Sequence, residues 1–176
     1  MTTNLWINKT WSSNTGTPLS SVQGGGFGWQ CNSTNYTFYC GTGASSNTYI
    51  SKALTVNNLA SGWHMLSATY DGLALRLYID GVLQSTTTKY TTKTPLYYNN
   101  NSGMFIGRES NGNVNTSSTD KFYGYINDVR IYATALTEVQ IKELYNTSAT
   151  IDNLGNIHTR EFYENSNFNI TKTGLF

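Results

Sequence analysis

GWHMLSATYDGLALRLYIDG, residues 62–81, is the stretch whose reading decides the fold. Two runs with alternating apolar residues, 63–70 and 73–79, flank Asp71-Gly72. Asp-Gly in that setting predicts a hairpin closed by a two-residue type I′ turn, because Gly adopts the positive φ the turn demands. Such a turn sets Tyr70 opposite Leu73, Ala68 opposite Leu75, Leu66 opposite Leu77 and His64 opposite Ile79. Side chains alternate along a strand, so these eight share one face. That face is almost wholly apolar and should point into a core. The opposite face carries Trp63, Met65, Ser67, Thr69, Ala74, Arg76 and Tyr78, the mixture expected of a sheet partly covered on its second side. A second Asp-Gly, Asp80-Gly81, closes the stretch and leads into a further strand, 82–88.

Working outward, 27–31 and 36–40 form another predicted hairpin over Asn32-Ser33-Thr34-Asn35. Pairing Cys31 with Tyr36 places Trp29 against Phe38 and Phe27 against Cys40, an aromatic slab on one face. The two cysteines then stand about four rungs apart, roughly 13 Å. A disulfide needs Cα atoms within about 7 Å, so the spacing predicts two buried free thiols. Leu5-Trp6-Ile7, 18–22, 49–56 and 104–107 read as further strands. Gly24-Gly25-Gly26 has no following Lys-Ser/Thr and no helix, so it reads as a turn and not a phosphate loop. In 122–133 the apolar parity slips between Ile126 and Val129, which a β-bulge near Asn127-Asp128 would restore. Thr137 with Gln140 three residues on is a capping box. It opens a helix near 138–145 whose apolar side is Leu136, Val139, Ile141, Leu144 and Tyr145. Beyond it, 157–163 reads as a strand, and Phe168, Ile170, Leu175 and Phe176 are spaced as apolar anchors.

The 62–81 stretch, together with FYGYINDVRIYATALTEVQIKELY at 122–145, resembles the LamG-like jelly-roll domains of the concanavalin A-like lectin/glucanase superfamily. The resemblance covers residues 5–145. It implies an all-β fold: a two-sheet antiparallel jelly-roll sandwich with one short helix. Residues 1–146 form the sandwich in this reading, and 147–176 a β-rich extension, read as an oligomerisation or docking arm. The tail is loosely similar to elements of phage and viral appendage proteins. In the family a strand normally precedes the Leu5-Trp6-Ile7 position beside the closing strand. Little sequence precedes it here, which predicts an open sheet edge or groove.

Composition narrows the function. Charged residues make up 12% of the 176 and the net charge is +1, which gives no electrostatic case for nucleic acid or an acidic membrane. No apolar run approaches the roughly 20 residues of a membrane span. MTTNLWINKTW lacks the basic start and apolar core of a secretory leader, so the reading is export without one or membership of a longer polypeptide. The Asn-x-Ser/Thr triplets are what chance gives in a chain rich in these residues.

Hydrolysis by a retaining glucanase needs two carboxylates about 5–5.5 Å apart. No strand before the tail carries two acids on one face, and no triad surrounds His64 or His158. The reading is therefore a non-enzymatic recognition domain that binds a glycan or cell-surface receptor, at an extracellular, cell or virion surface. The alternatives are a structural assembly module of a phage or viral appendage or capsid, partnered by itself or other structural proteins, and a divergent glycoside hydrolase. Sugar binding uses aromatic faces with amide and guanidinium donors, which Trp11, Tyr97, Tyr98, Asn99, Asn100 and Arg108 supply on predicted loops. No cofactor is required. Calcium, which several LamG-like domains hold on rim loops, would draw on Asp120, Asn127 and Asp128, with Glu109 as a further oxygen donor.

Overall fold

The computed structural model describes residues 1–10, 16–21, 25–43, 48–56, 59–98, 103–109, 121–147, 150–151 and 157–158. The central hairpin is β6 (Trp63–Tyr70) and β7 (Ala74–Ile79), extended by β8 (Val82–Thr88). On the other side of β6 lies β1 (Thr2–Lys9), and beyond it β10 (Gly124–Tyr132). The first sheet is thus ordered β10-β1-β6-β7-β8. The second runs β5 (Tyr49–Thr55), β4 (Asn35–Gly41), β3 (Phe27–Cys31), β2 (Gly16–Ser20) and β9 (Phe105–Ile106). Neighbouring strands in both sheets are antiparallel. The fold is the jelly-roll sandwich expected.

The face assignment of the central hairpin holds, while its register does not. Leu66 pairs with Ile79, Ala68 with Leu77 and Tyr70 with Leu75, two residues from the expected alignment. The cause is Asp71. Its Oδ1 accepts the amides of Leu73 and Ala74, each at 2.8 Å, so the side chain builds an Asx-type turn that competes with a two-residue I′ turn. The I′-like turn occurs at the second Asp-Gly, where Asp80 (φ 52°) and Gly81 (φ 77°) join Ile79 to Val82. A slip of two preserves strand parity, so every apolar residue keeps its face.

Leu66, Ala68, Tyr70, Leu75, Leu77 and Ile79 pack between the sheets against Trp29, Phe38, Ile50 and both cysteines. The second hairpin has the expected register: Phe27 opposite Cys40, Trp29 opposite Phe38, Cys31 opposite Tyr36. Its turn is built by Asn32, whose Oδ1 accepts the amides of Thr34 and Asn35. Cys31 and Cys40 are free and buried, and burial pushes both thiols well above the ordinary range. Trp29 Nε1 donates to Thr3 Oγ1 over 3.2 Å, a buried tie between the sheets.

Outside the first sheet a smaller core holds Trp6, Met65, Tyr78 and Ile141, flanked by Leu136, Leu144 and Tyr145. It is roofed by α1 (Glu138–Thr147). The capping box is present: Gln140 N donates to Thr137 Oγ1, and Thr137 N to Gln140 Oε1. Val139, expected on the packed side, is 68% exposed. It lies about 200° around the helix from Ile141, whereas Leu144 and Tyr145 follow at i+3 and i+4.

The expected open edge is not found where the missing strand was placed. β1 itself fills that slot, paired with β10 on one side and β6 on the other. Its register with β10 slips between Asn4 and Trp6, as Arg130 gives way to Asn127. That is the expected bulge, with Asp128 at φ 49°. In the tail, β11 (Thr150–Ile151) pairs with β12 (Ile157–His158); the rest of the predicted 157–163 strand and the anchors at 168–176 lie outside the described residues.

Leu77 is fully buried at the centre of the main core. Leu77→Ala is expected to cost ~2–5 kcal/mol in chemical denaturation; a loss below ~1 kcal/mol would contradict the core assignment.

Candidate functional site

The alternation that turns Phe27, Trp29 and Cys31 inward turns Gly28 and Gln30 outward. On the facing strand Tyr39 sits opposite Gly28 and Thr37 opposite Gln30, and on β5 Ser51 lies opposite Tyr39 and Tyr49 opposite Gly41. The outer face of the second sheet thereby gathers two tyrosines beside Gly28, which has no side chain and is buried. Tyr39 and Tyr49 meet edge-on, with ring centroids 6.4 Å apart at 82°. Tyr39 Oη donates to Gln30 Oε1 over 3.2 Å, and Lys89 Nζ holds the Tyr49 carbonyl at 2.7 Å. Thr17 of β2 and Glu109, just after β9, supply the other wall. Backbone bridges of Lys121 to Thr17 and to Arg108 hold that wall in place.

Together Thr17, Gly28, Gln30, Tyr39, Tyr49 and Glu109 line a cleft of about 270 Å³ whose floor includes part of Trp29. Thr17 is 2% exposed, and its Oγ1 is buried without a hydrogen-bond partner. A buried hydroxyl in that state costs ~1–3 kcal/mol. Among the described lining residues, Glu109 carries the only formal charge.

Of the predicted binding residues, Tyr97, Tyr98 and Arg108 fall among the described residues. Tyr97 works through its backbone: its carbonyl accepts the Gly26 amide at 2.6 Å, and its amide donates to the Gly41 carbonyl at 2.9 Å. Tyr98 packs edge-on against Phe27, centroids 6.5 Å apart, and its exposed part borders a separate groove of about 790 Å³ with Leu96, Ile131 and Tyr132. Arg108 lies over the Phe105 ring at 4.6 Å, beside Glu109 of the cleft. Trp11, Asn99 and Asn100 lie outside the described residues, as does Asp120. The lining residues Thr17, Gly28, Gln30, Tyr39 and Tyr49 were missed, although outward parity in the 27–31/36–40 hairpin identifies three of them.

The model for the concanavalin A-like lectin/glucanases superfamily matches residues 1–142. The chain belongs to this superfamily. No curated protein sequence matches it significantly. Among solved structures, the botulinum neurotoxin serotype D binding domain superposes with a TM-score of 0.62 at 18% identity, covering 89% of this chain and 40% of the other. The serotype D ligand binding domain in complex with N-acetylneuraminic acid gives 0.63 at 17%, covering 89% and 39%. A putative carbohydrate binding protein from Bacteroides ovatus gives 0.62 at 18%, covering 81% and 39%. The chain therefore spans about two fifths of each of these larger chains, and at these identities the likeness is one of fold.

The remaining polar clusters of this superfamily member are structural in geometry. Asp128 accepts Arg130 Nε at 2.6 Å and Nη2 at 2.8 Å, a bidentate fork that uses both carboxylate oxygens at the bulge. Asn127 lies opposite Trp6. The described residues contain no group of three or more His, Cys, Asp or Glu arranged to hold a metal. At Asp71, burial alone would push the carboxyl up, but Arg76 Nη1 at 2.7 Å and the two turn amides outweigh it and hold it at about 2. His64 Nδ1 lies 2.7 Å from Asp80 Oδ2 and Nε2 lies 2.9 Å from the Ala60 carbonyl. Both nitrogens face oxygen acceptors, so the ring fits as an imidazolium. The Asp80 hydrogen bond raises its pKa, burial opposes this, and the Ala60 carbonyl adds to the rise.

Two outcomes follow from these clusters. A raised histidine pKa stabilises the fold fully below the unfolded value, 6.5, and is lost as pH rises through the folded value. Thermal melts should therefore lose stability on going from mildly acid to mildly alkaline pH, and His64→Gln should flatten that loss; an unchanged slope in the variant contradicts the pairing. Because Asp128 is committed to Arg130, EDTA should leave the melting temperature nearly unmoved, while a large drop restored by calcium would assign Asp128 and Asp120 to a cation.

Proposed function

We propose that the chain is a non-catalytic glycan-recognition domain, acting at an extracellular or cell surface, that binds sugar on the outer face of its second sheet. The observation that carries this reading is the cleft over Gly28. Sugars present C–H faces and rings of hydroxyls. Recognition therefore calls for aromatic surface with a few placed polar groups in a preformed concavity. Tyr39 and Tyr49 supply the first, and Gln30, Thr17 and Glu109 the second. The carbohydrate and ligand-binding descriptions of the similar structures support the same class. Against hydrolysis stands the lining itself. Glycosidases place two carboxylates about 5–9.5 Å apart, and among the described residues lining this cleft Glu109 is the one carboxylate. The family match to residue 142 and the end of α1 at Thr147 support a recognition unit of 1–146 with 147–176 as an extension.

A glycan array is expected to return a small set of related glycans, without release of reducing sugar. Tyr39→Ala should weaken binding about tenfold or more, ~1.4 kcal/mol, with the fold retained by circular dichroism. An empty array, or undiminished binding by the folded variant, would contradict the proposal.

A further inference from the structure

We infer that His64 is a proton-operated latch: as an imidazolium it ties residues 59–62 in place as one wall of a cavity between the sheets, and as a neutral ring it lets that wall go. The cavity, about 270 Å³, is lined by Lys9 of β1 and Tyr36 of β4 on one side and by residues 59–62 with His64 on the other.

His64 bridges two acceptors that are held unequally. Its Nδ1 lies 2.7 Å from Asp80 Oδ2, and its Nε2 lies 2.9 Å from the Ala60 carbonyl. Asp80 is fastened to β6: its Oδ1 accepts the Met65 amide at 2.8 Å, and its own amide donates to the Met65 carbonyl at 2.9 Å. Both ring nitrogens donate only in the imidazolium. When one proton leaves, the carboxylate, the stronger acceptor, keeps the other on Nδ1. Nε2 then turns a lone pair on the Ala60 carbonyl, and the tie becomes a repulsion. The segment is built to respond. Gly62 sits at φ 123°, and a Cβ added there would meet nothing within 4 Å, so it is a pivot with room around it. Leu59 stays anchored, its amide donating to the Val56 carbonyl at 3.0 Å and its side chain packed on the main core. The part that moves is Ala60–Gly62.

Among the described residues, Asp80 faces the ring from the β7–β8 turn, Lys9 and Tyr36 share its cavity, and Tyr145 of α1 lies against Gly81, next to Asp80. Residues 59–62 carry no titratable side chain. The Asp80 hydrogen bond raises the His64 pKa, burial opposes it and the Ala60 carbonyl adds to the rise, so release falls above pH 6.5. Burial moves Tyr36 and Tyr145 up, away from this range, and Lys9 down, toward it.

NMR of the full chain from about pH 5 to about pH 8.5 tests the latch. The His64 ring should titrate above 6.5, and nitrogen shifts should show the neutral ring protonated on Nδ1. At that same midpoint the order parameters of Ser61 and Gly62 should fall from about 0.85 to below about 0.6. Asp80→Asn, which keeps a residue tolerant of the turn's positive φ, should lower the midpoint, and His64→Gln should abolish the transition. Order parameters that stay level through the His64 midpoint, or a neutral ring protonated on Nε2, would overturn the latch. A transition that persists in His64→Gln and vanishes in Lys9→Gln would overturn it too, by assigning the titration to Lys9.

Discussion

From Met65 to Tyr70, β6 has no residue exposed to water, and much of the remaining structure follows from covering both its sides. Leu66, Ala68 and Tyr70 face the second sheet. Met65 faces the opposite way, with Trp6 and Tyr78, and would lie in water without α1. Ser67 and Thr69 are buried as well. Ser67 Oγ donates to Asn4 Oδ1 over 2.6 Å, which pins β1 to β6 through a bond that water cannot replace. Thr2 extends the tie outward, since its Oγ1 donates to the Thr134 carbonyl and accepts the Leu136 amide. The helix is thus led onto the sheet by the same strand that β6 needs as its neighbour.

The division of labour between the sheets follows. The first sheet spends its outer face on the helix-covered core. The second carries the cleft on its outer face, and its inner face is fixed by Trp29 and Phe38, ring centroids 5.0 Å apart. Rigid inward aromatics on β3 and β4 set where Gly28, Gln30 and Tyr39 point outward. In the proposed recognition site, groups placed on paired strands would form a preorganised surface.

The fold was largely legible because strand parity survives errors of register. Asp71-Gly72 was read as the tight turn, yet the Asp71 carboxylate recruits two amides and lengthens it; the shift of two left every face intact. The bulge at Asp128 and the cap at Thr137 were readable for the same reason, as each is local chemistry. The Arg130 fork and the pairing of His64 with Asp80 depend on side chains meeting in space, which spacing does not reveal. The site was far less legible. Tyr97, Tyr98 and Arg108 are the right residue types for sugar binding; the backbone of Tyr97 ties to Gly26 and Gly41, and Tyr98 meets Phe27 edge-on while half exposed. The outward half of the 27–31/36–40 hairpin follows from the same parity as its inward half. Val139 shows the same limit on a smaller scale: apolar type alone placed it in a core that the helix period denies it.

The central claim is that ligand meets the protein on the outer face of the second sheet. Amide chemical-shift mapping of the full chain with the tightest glycan from an array tests it most directly. The account predicts that the largest shifts fall at Gly28, Gln30, Tyr39 and Tyr49 and on β2 near Thr17. Shifts centred instead on Leu96, Tyr98 and Ile131, around the larger groove, would contradict it.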